Sequence, residues 1–208
     1  VAWKHYIHHR WVYNKLDVAE SQGLACGIVP TDPTEFPVVV KPIYNLMGGS
    51  INVKVCHNIE EYRKITDPGC FWSPFHFGDH HSIDLILLDG KIVEMFSFHG
   101  EKLQFGAFDL WSLNDDDTDD ELLDLVEPWV EEFMDGYTGC LNIEVIGDYI
   151  IEGQLRMGDI DRLGDHKLMQ AIWTLHNEHR WDYQRNDLTP TEFYLAALFA
   201  HPNKQFNL

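Results

Sequence analysis

Apolar and polar positions along this chain change period repeatedly, and each change marks an element. Residues 14 to 22, NKLDVAESQ, space their apolar side chains as an amphipathic helix does and run into Gly23, which predicts a short helix with a glycine stop. Three consecutive valines in FPVVVKP predict a strand over residues 38 to 41 buried on both faces, yet it ends in Lys41 and Pro42. INVKVCH, residues 51 to 57, alternates as a half-buried strand. Asn58, with Glu61 three positions on, then forms a capping box that opens a helix. The Pro- and Gly-rich stretch DPGCFWSPFHFGD predicts an irregular connector between lobes. SIDLILLDGKIVEMFSF splits into two strand-like runs around Asp89-Gly90, a pair favoured in two-residue hairpin turns.

Further along, NDDDTDDE predicts a helix entry rather than a calcium loop. Thr118 and Glu121 form a second capping box, the aspartates sit at the positive helix end, and EF-hand spacing with its central Gly is absent. Pro128 should kink or restart this helix. CLNIEVIGDYIIEGQLR predicts another hairpin, residues 163 to 179 a helix, and Thr189-Pro190-Thr191-Glu192 the start of a last helix over residues 193 to 200. Hairpins mixed with helices, without repeats, argue an α+β fold over a doubly wound sheet.

The second hairpin carries candidate chemistry. With a three-residue loop at Gly147-Asp148-Tyr149, Ile143, Val145, Ile151, Gly153 and Leu155 share one face, and Asn142, Glu144, Glu152, Gln154 and Arg156 share the other. Glu144 then lies directly opposite Glu152, where Cβ atoms stand about 4.5–5.5 Å apart and like charges destabilise. Either water screens the pair on an exposed face, or a hard divalent cation sits between them with the Gln154 amide oxygen as a third ligand. Mg²⁺ takes such oxygen ligands together with phosphates. Arg156, two residues on, is placed to meet a phosphoryl group. Lys41 with the following Gly48, Gly49 and Ser50 supplies an ammonium and free backbone N–H groups, a phosphate cradle that is not a Walker loop.

Composition narrows the partners. At 208 residues, with 45% hydrophobic and 13% aromatic content, the chain supports a packed core in one large domain or two joined lobes. Thirty-four acidic against 15 basic residues leave a formal charge of −19, which disfavours nucleic acid and anionic membranes. Any phosphate must be met locally by a few bases. Cys26, Cys56, Cys70 and Cys140 contain no C-x-x-C pair and read as free thiols of a reducing compartment. No apolar run approaches the ~18 residues of a membrane span, and VAWKHYIHHRW has no apolar signal core. A soluble, cytoplasmic, trimmed chain is expected. The 12 histidines raise a zinc reading through His76, Asp79, His80 and His81, or through His176 and His179. HNEH is neither HExxH nor HxxEH, so these side chains read first as surface or hydrogen-bonded groups.

Lys15 at the head of a helix, P-V-V-V-K-P, the Gly loop with INVKV after it, SIDLILLDGK, and NIE followed by E-G-Q-L-R occur in an order that resembles the ATP-grasp superfamily over about residues 11 to 162. The resemblance implies two α+β lobes, residues 1–72 and 73–208, with ATP between them. It implies that Lys15 and Lys41 contact the nucleotide phosphates and that Gly48, Gly49 and Ser50 close over them. Glu144, Glu152 and Gln154 would hold Mg²⁺, and Arg156 would meet the transferred phosphoryl group. The implied activity is ligation: a carboxylate is activated as an acyl phosphate and attacked by an amine or similar nucleophile. Gln154 and Leu155 depart from the family's Asn-Pro, and the connector CFWSPFHFGDHH lacks the acid that commonly holds ribose. The usual preceding α/β domain has no room, which implies a protein partner supplying part of the acceptor site. The alternative is a degenerate nucleotide-binding or interaction module. Phe71, Trp72, Phe75 and Phe77 either line an adenine pocket or pack between lobes, and His81 with Asp84 are candidates to flank the nucleotide.

Overall fold

The computed structural model describes residues 2–44, 52–104, 107–114, 116–158, 165–184 and 192–194. In chain order these form α1 (Ala2–His5), a 3₁₀ turn (Arg10–Tyr13), α2 (Lys15–Ser21), β1 (Gly27–Ile28), β2 (Val38–Pro42) and β3 (Lys54–Cys56). Then come α3 (Ile59–Tyr62), β4 (Cys70–Pro74), β5 (His80–Leu88), β6 (Lys91–Gln104), β7 (Ala107–Leu113) and α4 (Asp116–Phe133). The chain continues through β8 (Gly139–Ile146), β9 (Tyr149–Gln154), α5 (His166–Glu178) and β10 (Glu192–Tyr194). Two antiparallel sheets result, one of four strands ordered β1-β4-β2-β3 and one of six ordered β10-β7-β6-β5-β8-β9. The α+β expectation holds.

In the smaller sheet, Val38 and Val40 are buried against Cys56, Tyr62 and Trp72, while Val39 between them is half-buried. Burial on both faces is therefore too strong a reading: one face of β2 is core and the other is partly covered. Asn58 caps α3 as expected, its side chain accepting from Glu61 N at 2.9 Å, and the Glu61 carboxylate accepts in return from His57 N at 2.8 Å. Part of the supposed connector is regular structure: β4 lies between β1 and β2, with Phe71 and Trp72 buried. The expected lobe division at residues 72 and 73 thus falls inside a strand. Pro74 ends β4, consistent with a residue that cannot donate to a ladder.

Alternation sorts the larger sheet into two faces. Ile83, Leu85, Leu87, Ile143, Val145 and Ile150 meet Leu122, Val126, Trp129 and Val130, spaced along α4 as one helical stripe. Val12 and Val18 join the same cluster, so the N-terminal helices pack on the larger sheet although they precede the smaller one in sequence. On the opposite face, Ile86, Phe96, Phe98 and Cys140 are covered by Leu168, Ile172 and Leu175 of α5, each such burial contributing about 1.5–3 kcal/mol. Asp165 caps α5 by accepting from Lys167 N and Leu168 N.

Asp89 at φ 52° and Gly90 at φ 79° form the predicted two-residue turn, the positive φ pair a type I′ turn requires. Two expectations change. Helix α4 starts at Asp116, so Thr118 lies within its first turn rather than at its cap, and the helix runs on through Pro128. Residues 192–194, expected at the start of a helix, form β10 against β7. The four cysteines are free, three of them buried. Among the described residues no helix is long and apolar enough to cross a membrane.

Candidate active site at the second hairpin

On the α5 face the sheet changes character along its strands. Past the apolar patch, the inward positions become Ser82 and Asp84 on β5, Asn142 and Glu144 on β8, and Glu152 and Gln154 on β9. The expected pairing is present: Asn142 opposes Gln154, Ile143 opposes Gly153 and Glu144 opposes Glu152. The turn differs from the expected three-residue loop. Ile146 pairs with Tyr149 and Val145 with Ile150, and the register shifts between Glu144 and Val145. A tighter turn is thus offset by an extra residue, Ile151, bulged out of β9. Ile150 rather than Ile151 enters the core, and the two acids keep their shared face.

Two lysines reach this face from outside the sheet. Asn14 caps α2 by accepting from Leu16 N at 3.0 Å, which fixes Lys15 at the head of the helix. The Lys15 N–H donates to the Ile43 carbonyl at 3.0 Å, tying that helix to the chain just beyond Lys41. Lys15 Nζ then lies 2.5 Å from Glu152 Oε2, both side chains buried. Lys41 Nζ donates to the bulged Ile151 carbonyl at 3.0 Å and stands 5.5 Å from the Phe71 ring centroid. Burial first, and Lys15 second, pull the Lys41 ammonium from 10.5 down to about 8 against the opposing pull of Glu152 and Glu144.

The acids are held in turn. Glu144 Oε2 lies 3.1 Å from Nε2 of the buried His80. Burial raises the Glu144 carboxyl, but the His80 bond, Lys15 and Lys41 outweigh it and leave it below its ordinary 4.5. Gln154 Nε2 donates to Glu152 Oε1 at 2.7 Å, and its amide oxygen accepts from Arg156 Nε at 2.6 Å. The amide oxygen thus faces Arg156 and not the carboxylates, while Arg156, which is exposed, also donates to the Met157 carbonyl. Beneath the acids, Asn142 donates to Asp84 Oδ1 at 3.1 Å, and Gly158 N donates to the same oxygen at 2.6 Å.

No family model and no curated protein matches the sequence. Solved structures do match the fold. An L-amino acid ligase from Bacillus licheniformis aligns with a TM-score of 0.58 at 16% identity, over 88% of this chain and 49% of that one. The biotin carboxylase domain of a Hydrogenobacter thermophilus 2-oxoglutarate carboxylase, crystallised with MgADP, ADP and bicarbonate, aligns at 0.56 and 14% identity over 74% and 42%. A putative ATP-grasp superfamily protein from Archaeoglobus fulgidus aligns at 0.50 and 13% identity over 80% and 50%. This chain has the ATP-grasp fold. It spans about half the length of the structures it matches.

Within that ATP-grasp fold, Lys15, Lys41, Glu144, Glu152, Gln154 and Arg156 are brought to one region by two strands, a helix head and a strand end. Gly48, Gly49 and Ser50 lie outside the described residues. His81 and Asp84, paired in the sequence reading, point to opposite sides of β5. Asp84 is on the floor of the acid site, and His81 is behind it. Phe71 and Trp72 are buried strand residues, Trp72 in the core of the smaller sheet and Phe71 beside Lys41, whereas Phe77 is 76% exposed in the short connector. His76 stacks on Tyr149 of the hairpin with ring centroids 4.2 Å apart, and burial followed by Lys41 lowers its pKa to about 4. Sequence reasoning put Asn142 on this face without a role and set His80 only in the zinc reading, so neither was assigned to this site. Their signal was the period of two: His80, Ser82 and Asp84 alternate on the face that Glu144 and Asn142 share. The Glu144 and Glu152 carboxylates offer oxygen donors only, which suits a hard cation such as Mg²⁺, whereas the expected third ligand, the Gln154 amide oxygen, is turned to Arg156.

Proposed function

We propose that this chain is the nucleotide-binding part of a Mg²⁺–ATP-dependent ligase that activates a carboxylate for attack by an amine or similar nucleophile. One observation carries the reading. Two carboxylates opposed across β8 and β9 meet two lysines from outside the sheet, and half-buried Lys41, desolvated and beside the Lys15 ammonium, lacks the negative charge that would hold its proton normally. A polyanionic phosphate chain supplies that missing charge.

In this reading, Lys15 and Lys41 bind nucleotide phosphates, with Gly48, Gly49 and Ser50 closing over them. Glu144, Glu152 and Gln154 would hold Mg²⁺, which supplies charge neutralisation for the phosphates when bound. Displacement of Lys15 from Glu152 by phosphate would leave that carboxylate available to the ion. Arg156, exposed and hinged on Gln154, orients toward the γ-phosphoryl group. The substrate carboxylate oxygen attacks γ-phosphorus as the bond to the bridging oxygen breaks and ADP leaves. The amine then adds to the acyl carbon, inorganic phosphate departs, and the amide forms. Protein residues contribute positioning and charge, not covalent bonds. His76, Phe77 and Tyr149 flank the connector as a surface for the base. The neighbouring ligases are about twice as long, so the acceptor is assigned to chain or partner beyond this segment.

A noncatalytic nucleotide-binding module is the second reading, favoured by the Gln154 oxygen being engaged by Arg156. Fluorescent ADP titrated with and without Mg²⁺, followed by ADP release from ATP with pooled carboxylates and amines, separates them. Magnesium-dependent binding with turnover supports the ligase, binding without turnover supports the module, and no nucleotide binding refutes both.

A further inference from the structure

On the other face of β5, away from the nucleotide site, the chain gathers a second group of potential ligands. His81 on β5 and His99 on β6 are direct cross-strand partners, their rings 5.3 Å apart. Asp79, just before β5, completes the set. One ligand atom from each of the three lies within 4.8 Å of the others. Asp79 is exposed and both histidines are half-buried, leaving a route for an ion from solvent.

A supporting layer lies behind them. Asn114 Nδ2 is 3.0 Å from His81 Nδ1, and the same amide donates to Ser97 Oγ at 2.5 Å. Ser97 Oγ donates in turn to the buried Asp119 Oδ1 of α4 at 2.6 Å. With Nδ1 engaged, Nε2 of His81 is the nitrogen left for an ion. Metal on Nε2 places the proton on Nδ1, and a half-turn of the Asn114 amide then presents its carbonyl oxygen to that proton in exchange for its present bond to Ser97 Oγ. Metal-binding histidines ordinarily have such a partner, which fixes the ring and raises its basicity.

We propose that Asp79, His81 and His99 form a site for a divalent transition ion such as zinc, distinct from the magnesium ligands. Two imidazoles and a carboxylate leave a fourth position open and select against magnesium and calcium, which take oxygen ligands. Asp79 belongs to the connector that follows β4, and its carbonyl accepts from Gly147 N at 3.1 Å at the hairpin turn. An ion there ties the connector to the β5–β6 pair.

The test is a zinc competition titration of the full chain after chelator treatment, with cobalt(II) absorption as the spectroscopic readout. One equivalent binds tightly with a tetrahedral cobalt spectrum. Asp79→Ala, an exposed change that leaves folding intact, and His99→Gln each weaken it by at least about 100-fold, and Asn114→Ala by roughly 10-fold, as removal of a supporting partner does. Glu144→Gln leaves zinc binding unchanged. Affinity that survives Asp79→Ala and His99→Gln, or that disappears in a His8→Ala/His9→Ala chain instead, overturns the assignment.

Discussion

Replacing Lys41 by Met should stabilise the unliganded protein while removing nucleotide binding. The ammonium is pulled from 10.5 to about 8 chiefly by burial. That drop is about 2.5 pH units at about 1.36 kcal/mol each, so holding the charge at pH 7 costs roughly 3 kcal/mol. Met keeps the apolar stem but leaves the Ile151 carbonyl without this donor, a loss of about 1–2 kcal/mol. The net gain at pH 7 is therefore about 1–2 kcal/mol. The sign with pH follows from proton counts. Between pH 8 and 10.5 the unfolded chain keeps a proton that the folded one has released, so wild-type stability rises with pH through that window. The variant lacks this rise, and its advantage shrinks to nothing or reverses by pH 10. Urea unfolding followed by tryptophan fluorescence at both pH values measures the difference. A variant less stable than wild type at pH 7, or an advantage that does not change with pH, would refute the reasoning. Loss of at least about tenfold in ADP affinity in the same variant would tie the stored cost to function.

Glu152→Gln should cost about 3–5 kcal/mol, because it strands the buried Lys15 ammonium, and a Lys15→Met/Glu152→Gln double variant should recover most of it. Denaturant midpoints decide this, and a single-variant loss under about 1 kcal/mol contradicts it. Glu144→Gln is the cleaner probe of metal, since the amide keeps an oxygen for its partner His80: ADP binding should lose its magnesium dependence while the fold is retained. The Glu144 carboxyl lies below 4.5, so it adds stability above that value which is lost as pH falls through its folded pKa. Glu144→Gln should therefore flatten the acid limb of stability, measured by thermal melts between pH 6 and about 3. Gly147→Ala should destabilise by more than about 1 kcal/mol, because Gly147 sits at φ 55° and a Cβ would come 2.5 Å from the Phe77 carbonyl oxygen. Unchanged melting in that variant would show that the connector yields.

Local rules determined much of this protein. The Asp89-Gly90 turn, the Asn14 and Asn58 caps and the period-two faces of β8 and β9 are written in neighbouring residues, whose spacing alone sets φ, capping and side-chain direction. The same alternation put Glu144 opposite Glu152, whereas Lys15 came only from the resemblance in motif order and Lys41 from its place before the glycine loop. Tertiary structure decided what neighbours cannot specify. Pro- and Gly-rich residues around Cys70 became a central strand because both flanks found partners distant in sequence. Residues 192–194 became a strand for the same reason, against β7. The bulge at Ile151, which sends Ile150 into the core and offers a carbonyl to Lys41, satisfies a tight turn and a fixed acid pairing at once. His80 joined the acids, and His81 met His99, only when β5 was flanked by β6 and β8. Period and caps act over a few bonds, whereas charge and packing act across strands that the chain brings together only on folding.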